Sequence, residues 1–246
     1  MNKPLISKAF IANSVTSMNI FCGFMSIIYT SQNNFKYAAI FIITAAIFDT
    51  LDGIVARLLD TTSRFGVELD SLSDVVSFGA APSFLIYKAY AFQFGPWGIL
   101  LSACILIFGA LRLARFNVMT EDLKTKGDFT GLPIPLAAIT MTLLFFSFYR
   151  EGRIIDPISY IVTPLIILLS ILMVSKIRYS ALPKLKDRKF KEKIFLFVIL
   201  IAALILTIIT NGQTLFFIFL SVILFGILRH FYYMITGKKF ENGSGN

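Results

Sequence analysis

Apolar runs of about twenty residues follow one another along nearly the whole chain, each long enough to cross the ~30 Å hydrocarbon core of a bilayer as a helix. They fall near 11–30, 36–58, 67–90, 97–117, 132–149, 155–175, 194–210 and 214–235. In lipid every backbone N–H and C=O must be satisfied within the protein, which leaves helices or a closed barrel. Barrel strands alternate in polarity at every second residue, whereas these runs are continuously apolar. The chain is therefore expected to be all-α, a polytopic membrane helical bundle of about eight transmembrane helices. Composition agrees: 57% of the 246 residues are hydrophobic, above the roughly 45–50% of soluble domains. The last two runs are separated only by Asn211-Gly212-Gln213, a turn signal that predicts a helical hairpin rather than one very long helix.

Eight spans put both termini on one side, and the basic residues identify that side, because cytoplasmic loops carry the excess of Lys and Arg. Of the 23 basic residues, only Lys36, Lys88, Arg150 and Arg153 fall on the side opposite the termini. Both termini are thus expected in the cytoplasm of an inner or cell membrane protein. The same bias accounts for the net charge of +9 without nucleic acid. The run Lys184 to Lys193 is expected to hold the 176–193 loop on anionic lipid headgroups. Cys22 and Cys104 lie in apolar runs as packing residues, and no disulfide or zinc framework is available. The lone His230, near the end of the last span, is expected at the interface.

Four of the fourteen acidic residues sit where solvent does not account for them. Asp49 and Asp52 lie in AAIFDTLDGIVA near the end of the second span; Asp70 and Asp74 lie in GVELDSLSDVVSFGA near the start of the third. Each carboxylate at membrane depth costs about 2.5–3.5 kcal/mol on insertion scales and needs a partner. On helices, Asp49, Asp52, Gly53 and Ala56 share one face, as do Gly66, Asp70 and Asp74. Spans two and three are antiparallel neighbours, so these faces can meet. Four converging carboxylates call for cations, and an all-oxygen set suits Mg²⁺ or Mn²⁺, two ions being the natural number. Gly53 and Gly66 leave room for a ligand near the backbone, and Arg57 adds a fork of donors suited to phosphate. Metals, glycines and arginine together point to phosphoryl-type transfer, with a remaining carboxylate taking a proton from an attacking hydroxyl. An ion-coupled transporter is the alternative class, since intramembrane aspartates also mark ion pathways. Against it, the cluster lies at one membrane face, and spans five to eight hold no second carboxylate set.

The stretch Asp49 to Asp74, DTLDGIVARLLDTTSRFGVELDSLSD, resembles the signature of the CDP-alcohol phosphotransferase family, DxxDGxxAR, eight residues, GxxxDxxxD, at every fixed position. The resemblance implies that Asp49, Asp52, Asp70 and Asp74 bind two divalent cations, with Asp74 also the catalytic base. It implies that Asp52, Gly53, Ala56, Arg57 and Gly66 hold the CDP moiety, and that the protein is a homodimer. NSVTSMNIFCG (Asn13 to Gly23), LRLARFN (Leu111 to Asn117) and FTGLPIP (Phe129 to Pro135) are similar to the phosphatidylserine-forming branch of that family. This implies CDP-diacylglycerol and L-serine as substrates, membrane lipids as surroundings, and a six-helix core over residues 1–175. The basic loop 176–193, a C-terminal transmembrane hairpin 194–236 and a disordered tail 237–246 complete the expected organisation.

Serine is a zwitterion, so its site needs a cation for the carboxylate. Arg112 and Arg115, at the cytoplasmic end of span four, are candidates, with Asn117 beside them. They would suit glycerol 3-phosphate or inositol phosphate equally, and choline is a further acceptor with the same chemistry; the arginines alone do not choose. The alternative is that both are anchors snorkelling to headgroups; their spacing of three residues, on a helix face that could turn inward, favours a role in the site for at least one of them. Asn13, Thr16 and Asn19 form a polar stripe that either helix packing or a ligand would explain.

Overall fold

The computed structural model describes residues 8–59, 61, 63–121, 131–177, 179, 206, 207 and 209–236. It is a helical membrane bundle. Helix α1 (Lys8–Ser31) and α2 (Phe35–Leu59) form an antiparallel pair, the most extensive helix contact among the described residues. Then come α3 (Arg64–Asp74), a π-helical turn (Val75–Ala80) and α4 (Ala81–Ala89), one unbroken helical path where the sequence predicts the third span. A 3₁₀ turn (Ala91–Phe94) leads into α5 (Pro96–Glu121), followed by α6 (Ile134–Phe148), α7 (Ile158–Val174) and α8 (Gln213–Thr236). Within α1, α2, α5 and α8 the segments Phe10–Ser31, Phe35–Leu59, Pro96–Val118 and Gln213–Thr236 are long and apolar enough to cross a membrane; α6 and α7 are shorter apolar helices.

One departure from an all-helical chain is a hairpin between α6 and α7, where β1 (Tyr149–Arg150) pairs antiparallel with β2 (Arg153–Ile154). Glu151 and Gly152 take positive φ at its turn, a short way to reverse the chain and pair the freed backbone groups. At the predicted hairpin turn, Asn211 and Gly212 adopt positive φ, and the Gly212 N–H donates to the Thr207 carbonyl at 2.8 Å. Most of the 194–210 run, residues 180–193 of the basic loop and the 237–246 tail lie outside the described residues, as do Lys124 and Lys126.

Two sequence features explain the π-helical turn. Pro82 has no N–H, and its ring would clash with the carbonyl four residues back. Just before it the helix winds wider, so that the Ala81 N–H reaches the Val76 carbonyl. On the inner side Gly23 of α1 lets Ser77 approach; a Cβ on Gly23 would lie 2.8 Å from the Ser77 Cα. Ser77 Oγ donates to the Asn19 carbonyl at 2.9 Å, and Ser73 Oγ to the Thr16 carbonyl at 3.5 Å. Small residues and hydroxyls thus seat this path on α1, as is common where lipid supplies no hydrophobic drive for helix association.

The buried core runs through Ile42, Phe78, Leu85, Ile105, Met141 and Ile166. On its flank α8 packs on α6, with Phe148 edge-on to Phe216 (5.5 Å) and Phe217 (6.1 Å). Gly226 admits the ring of Tyr179, whose Cδ1 would be 2.7 Å from an added Cβ. The C-terminal helix is therefore fastened near its start and at its middle.

Candidate active site

The site is built where α2 ends and α3 begins. Ser63 caps α3: its backbone is extended (φ −131°, ψ 154°) and its Oγ accepts from the Gly66 N–H at 3.0 Å. That cap fixes the start of the helix and so the phase of Asp70 and Asp74, one turn apart. Opposite them, Asp49 and Asp52 stand one turn apart on α2.

Asp49, Asp70 and Asp74 each offer a carboxylate oxygen within 4.8 Å of the others. Asp74 is 8% exposed, and its Oδ1 is buried without a hydrogen-bond partner. Asp52, 6% exposed, stands outside this triangle but within electrostatic reach of Asp70 and Asp49. Its carboxylate is in hydrogen-bonding range of Thr16, while Oδ2 has no partner. Converging carboxylates with orphaned oxygens make a donor set short of positive charge, and its hard oxygen atoms fit a divalent cation of the magnesium or manganese kind. The structure thus brings three of the four predicted aspartates into one cluster and sets the fourth beside it.

The glycines behave differently from those in the packed bundle. A Cβ on Gly53 would meet only Arg57 Nη2, at 3.9 Å. One on Gly66 would lie 3.3 Å from Ser63 Oγ and 3.7 Å from Asn13 Oδ1. Neither glycine is required by a neighbouring helix, and both sit beside the aspartates. Arg57 curls back along α2, its Nε donating to the Gly53 carbonyl at 2.7 Å, and covers the Gly53 gap. Ala56 is half-buried on the same stretch.

The three α5 candidates separate. Arg112 is half-buried and in electrostatic contact with Asp74. Arg115 is exposed, with Nη1 donating at 3.3 Å to the Val174 carbonyl at the end of α7. Asn117 Nδ2 donates at 3.0 Å to the hydroxyl of Ser71, the residue after Asp70. Ser71 and Ser73 were not singled out by the sequence, since they occupy variable positions between the aspartates. Of the polar stripe on α1, Asn13 borders Gly66 and Thr16 meets Asp52, while the Asn19 carboxamide is fully buried with neither side-chain atom partnered. The glycine of FTGLPIP joins the end of α7: Gly131, at φ +86°, donates to the Ile177 carbonyl at 2.8 Å, and the Leu132 N–H to Leu172 at 2.9 Å.

Comparison with known proteins agrees with this geometry. Residues 9–172 match the CDP-alcohol phosphatidyltransferase family model. A CDP-diacylglycerol–serine O-phosphatidyltransferase of Helicobacter pylori (strain ATCC 700392 / 26695) is 38% identical over 224 residues, 91% of this chain and 92% of that protein. One from Methanocaldococcus jannaschii is 37% identical over 222 residues, covering 89% and 94%. The archaetidylserine synthase of Methanothermobacter thermautotrophicus is 39% identical over 183 residues, 72% of each chain. With a match that takes in α1 to α7 and the whole aspartate cluster, this chain belongs to the CDP-alcohol phosphatidyltransferase family.

Proposed function

We propose that this protein transfers the phosphatidyl group of CDP-diacylglycerol to the hydroxyl of L-serine, giving phosphatidylserine and CMP. The reaction class is supported above all by the carboxylate triangle Asp49, Asp70 and Asp74 within 4.8 Å, set beside Gly53, where an added Cβ would meet only the end of Arg57. The choice of serine is supported by likeness to relatives bearing that activity in their names over most of this chain.

Asp49, Asp52, Asp70 and Asp74 would hold two divalent cations, Mg²⁺ or Mn²⁺, which when bound neutralise charge on the phosphate oxygens. Gly53, Ala56, Arg57 and Gly66, with Asp52, would seat the CDP moiety, and the acyl chains remain in lipid. Arg112 would take the serine carboxylate. In serine only three covalent bonds separate the carboxylate carbon from the hydroxyl oxygen, so one amino acid can reach from Arg112 to its neighbour Asp74. Asp74 accepts the hydroxyl proton, the serine oxygen bonds to the phosphorus that carries the diacylglycerol, and the bond from that phosphorus to the CMP oxygen breaks. The basic-residue bias supports a topology with both termini and this site on the cytoplasmic side, and the family resemblance favours a homodimer.

The test is CMP release from CDP-diacylglycerol by the purified protein, with Mg²⁺ or Mn²⁺ and, in turn, serine, glycerol 3-phosphate, inositol phosphate and choline. Release only with serine supports the reading. Release with another alcohol and not with serine overturns the acceptor, and no metal-dependent release with any of them overturns the reaction.

A further inference from the structure

Helix α5 packs broadly on the π-helical turn, on α4 and on α7, but only sparsely on α3. At the end where Asp70, Asp74 and Arg112 lie, little close packing among the described residues fixes the gap between the two helices. A polar contact spans it: Asn117 Nδ2 donates to Ser71 Oγ at 3.0 Å, and Asn117 Oδ1 stands 3.3 Å from the same hydroxyl. We propose that Ser71 and Asn117 form a clasp that sets the spacing of α3 and α5, and through it that of Asp74 and Arg112.

The register supports this. Helices α3 and α5 run in opposite directions, and a helix rises about 1.5 Å per residue. Moving inward from the clasp, Asp74 lies about 4.5 Å beyond Ser71 and the Arg112 backbone about 7.5 Å beyond Asn117. The ~3 Å difference is within the length of the arginine side chain, and Arg112 lies within electrostatic reach of Asp74. Ser71 is three residues from Asp74, so both project toward α5 from one side of α3. Arg115, bonded to the end of α7, ties the same turn of α5 from the other side, leaving the clasp to hold it toward the aspartates. Asn117 is therefore a positioning residue, acting through the α3–α5 gap rather than on the acceptor itself.

The proposal rests on the acceptor reading above, and a double-mutant cycle tests it separately. Ser71→Ala, Asn117→Ala and the double variant are purified in detergent, their folding is checked by size exclusion and thermal unfolding, and kcat and KM are measured for each substrate. The clasp predicts that each single variant lowers kcat with serine by about tenfold and that the double variant is no worse than either single one, the coupling expected of residues in contact. KM for CDP-diacylglycerol stays near the wild-type value, and Ser71→Thr, which keeps the hydroxyl, retains most activity. If Asn117→Ala instead raises only KM for serine while Ser71→Ala is indistinguishable from wild type, Asn117 binds the acceptor directly and the clasp is refuted. Additive losses refute it as well. Should Asn117→Ala fail to fold, Ser71→Ala against Ser71→Thr decides: equal activities refute the clasp. If the wild type works with another alcohol and not with serine, the acceptor reading fails, and the same cycle run with that alcohol still tests the clasp.

Discussion

Gly53→Ala separates ligand space from packing space. The added methyl would have Arg57 Nη2, at 3.9 Å, as its nearest neighbour outside the local helix backbone, an ordinary contact with the mobile end of a side chain. Nothing among the described residues opposes it. Position 53 lies inside α2, where glycine costs about 0.8–1 kcal/mol relative to alanine. The variant should therefore be more stable than wild type, by up to about 1 kcal/mol, a rise of roughly 2–4 °C in Tm for a chain of this size. If the CDP moiety lies on this glycine, the same methyl intrudes on the bound ligand. Overpacking a closely fitted contact costs about 1–3 kcal/mol, a loss of roughly 5- to 150-fold in affinity. The assay pairs thermal unfolding of ligand-free protein in detergent with KM for CDP-diacylglycerol at saturating serine. Raised stability with weakened substrate binding is the expected pair. Raised stability with an unchanged KM would refute the cradle, and lowered stability would refute the open space beside Gly53.

Gly23→Ala should behave in the opposite way, because its Cβ would lie 2.8 Å from the Ser77 backbone; thermal unfolding should show a loss of about 1–3 kcal/mol. Asp74→Asn should cut kcat by about 10²–10⁴, the range of a general base, while equilibrium binding of the CDP-lipid stays near normal; near-normal turnover would remove Asp74 from that role. Arg112→Ala should raise KM for serine by roughly 10- to 150-fold, the equivalent of one charge-assisted hydrogen bond of about 1.5–3 kcal/mol. Arg115→Ala should act chiefly on stability, since it loses its bond to the Val174 carbonyl.

The sequence made the helices legible because a bilayer permits so few alternatives: the runs at 11–30, 36–58, 97–117 and 214–235 correspond to α1, α2, α5 and α8 within a few residues. Helical spacing also put Asp70 and Asp74 on one face and Asp49 on the facing one. It could not order the four aspartates among themselves. Whether Asp52 joins the triangle depends on the rotation of α2 against α1, and so on Thr16, whose hydroxyl is in range of the Asp52 carboxylate. Nor could it divide Arg112 from Arg115, which are three residues apart and equally basic. That division comes from α7, whose terminal carbonyl at Val174 takes up Arg115. The π-helical turn was equally hidden: Pro82 and Gly23 lie in different spans, and only their packing shows that one widens the helix while the other admits it.

The placement of the site follows from where close packing stops. Along the middle of the bundle the chain removes side-chain bulk wherever two elements meet: Gly23 against Ser77, Gly79 against Leu106, Gly109 against Ile134. Ala38, Ala39, Ala45 and Ala81 are buried in the same region. Contacts of this kind leave no room for a ligand and no freedom between helices. Toward the ends of α2 and α5 the pattern changes: Gly53 meets only the end of Arg57, Gly66 meets polar side-chain atoms of Ser63 and Asn13 rather than a packed helix, and α3 touches α5 only sparsely. Carboxylates are costly in a membrane, and on the proposed reading their charge is offset by bound cations and polar substrates at this end. The same looseness would let Asp74 and Arg112 drift apart. A polar link such as Ser71 to Asn117 suits that position, since it fixes a spacing without filling the gap.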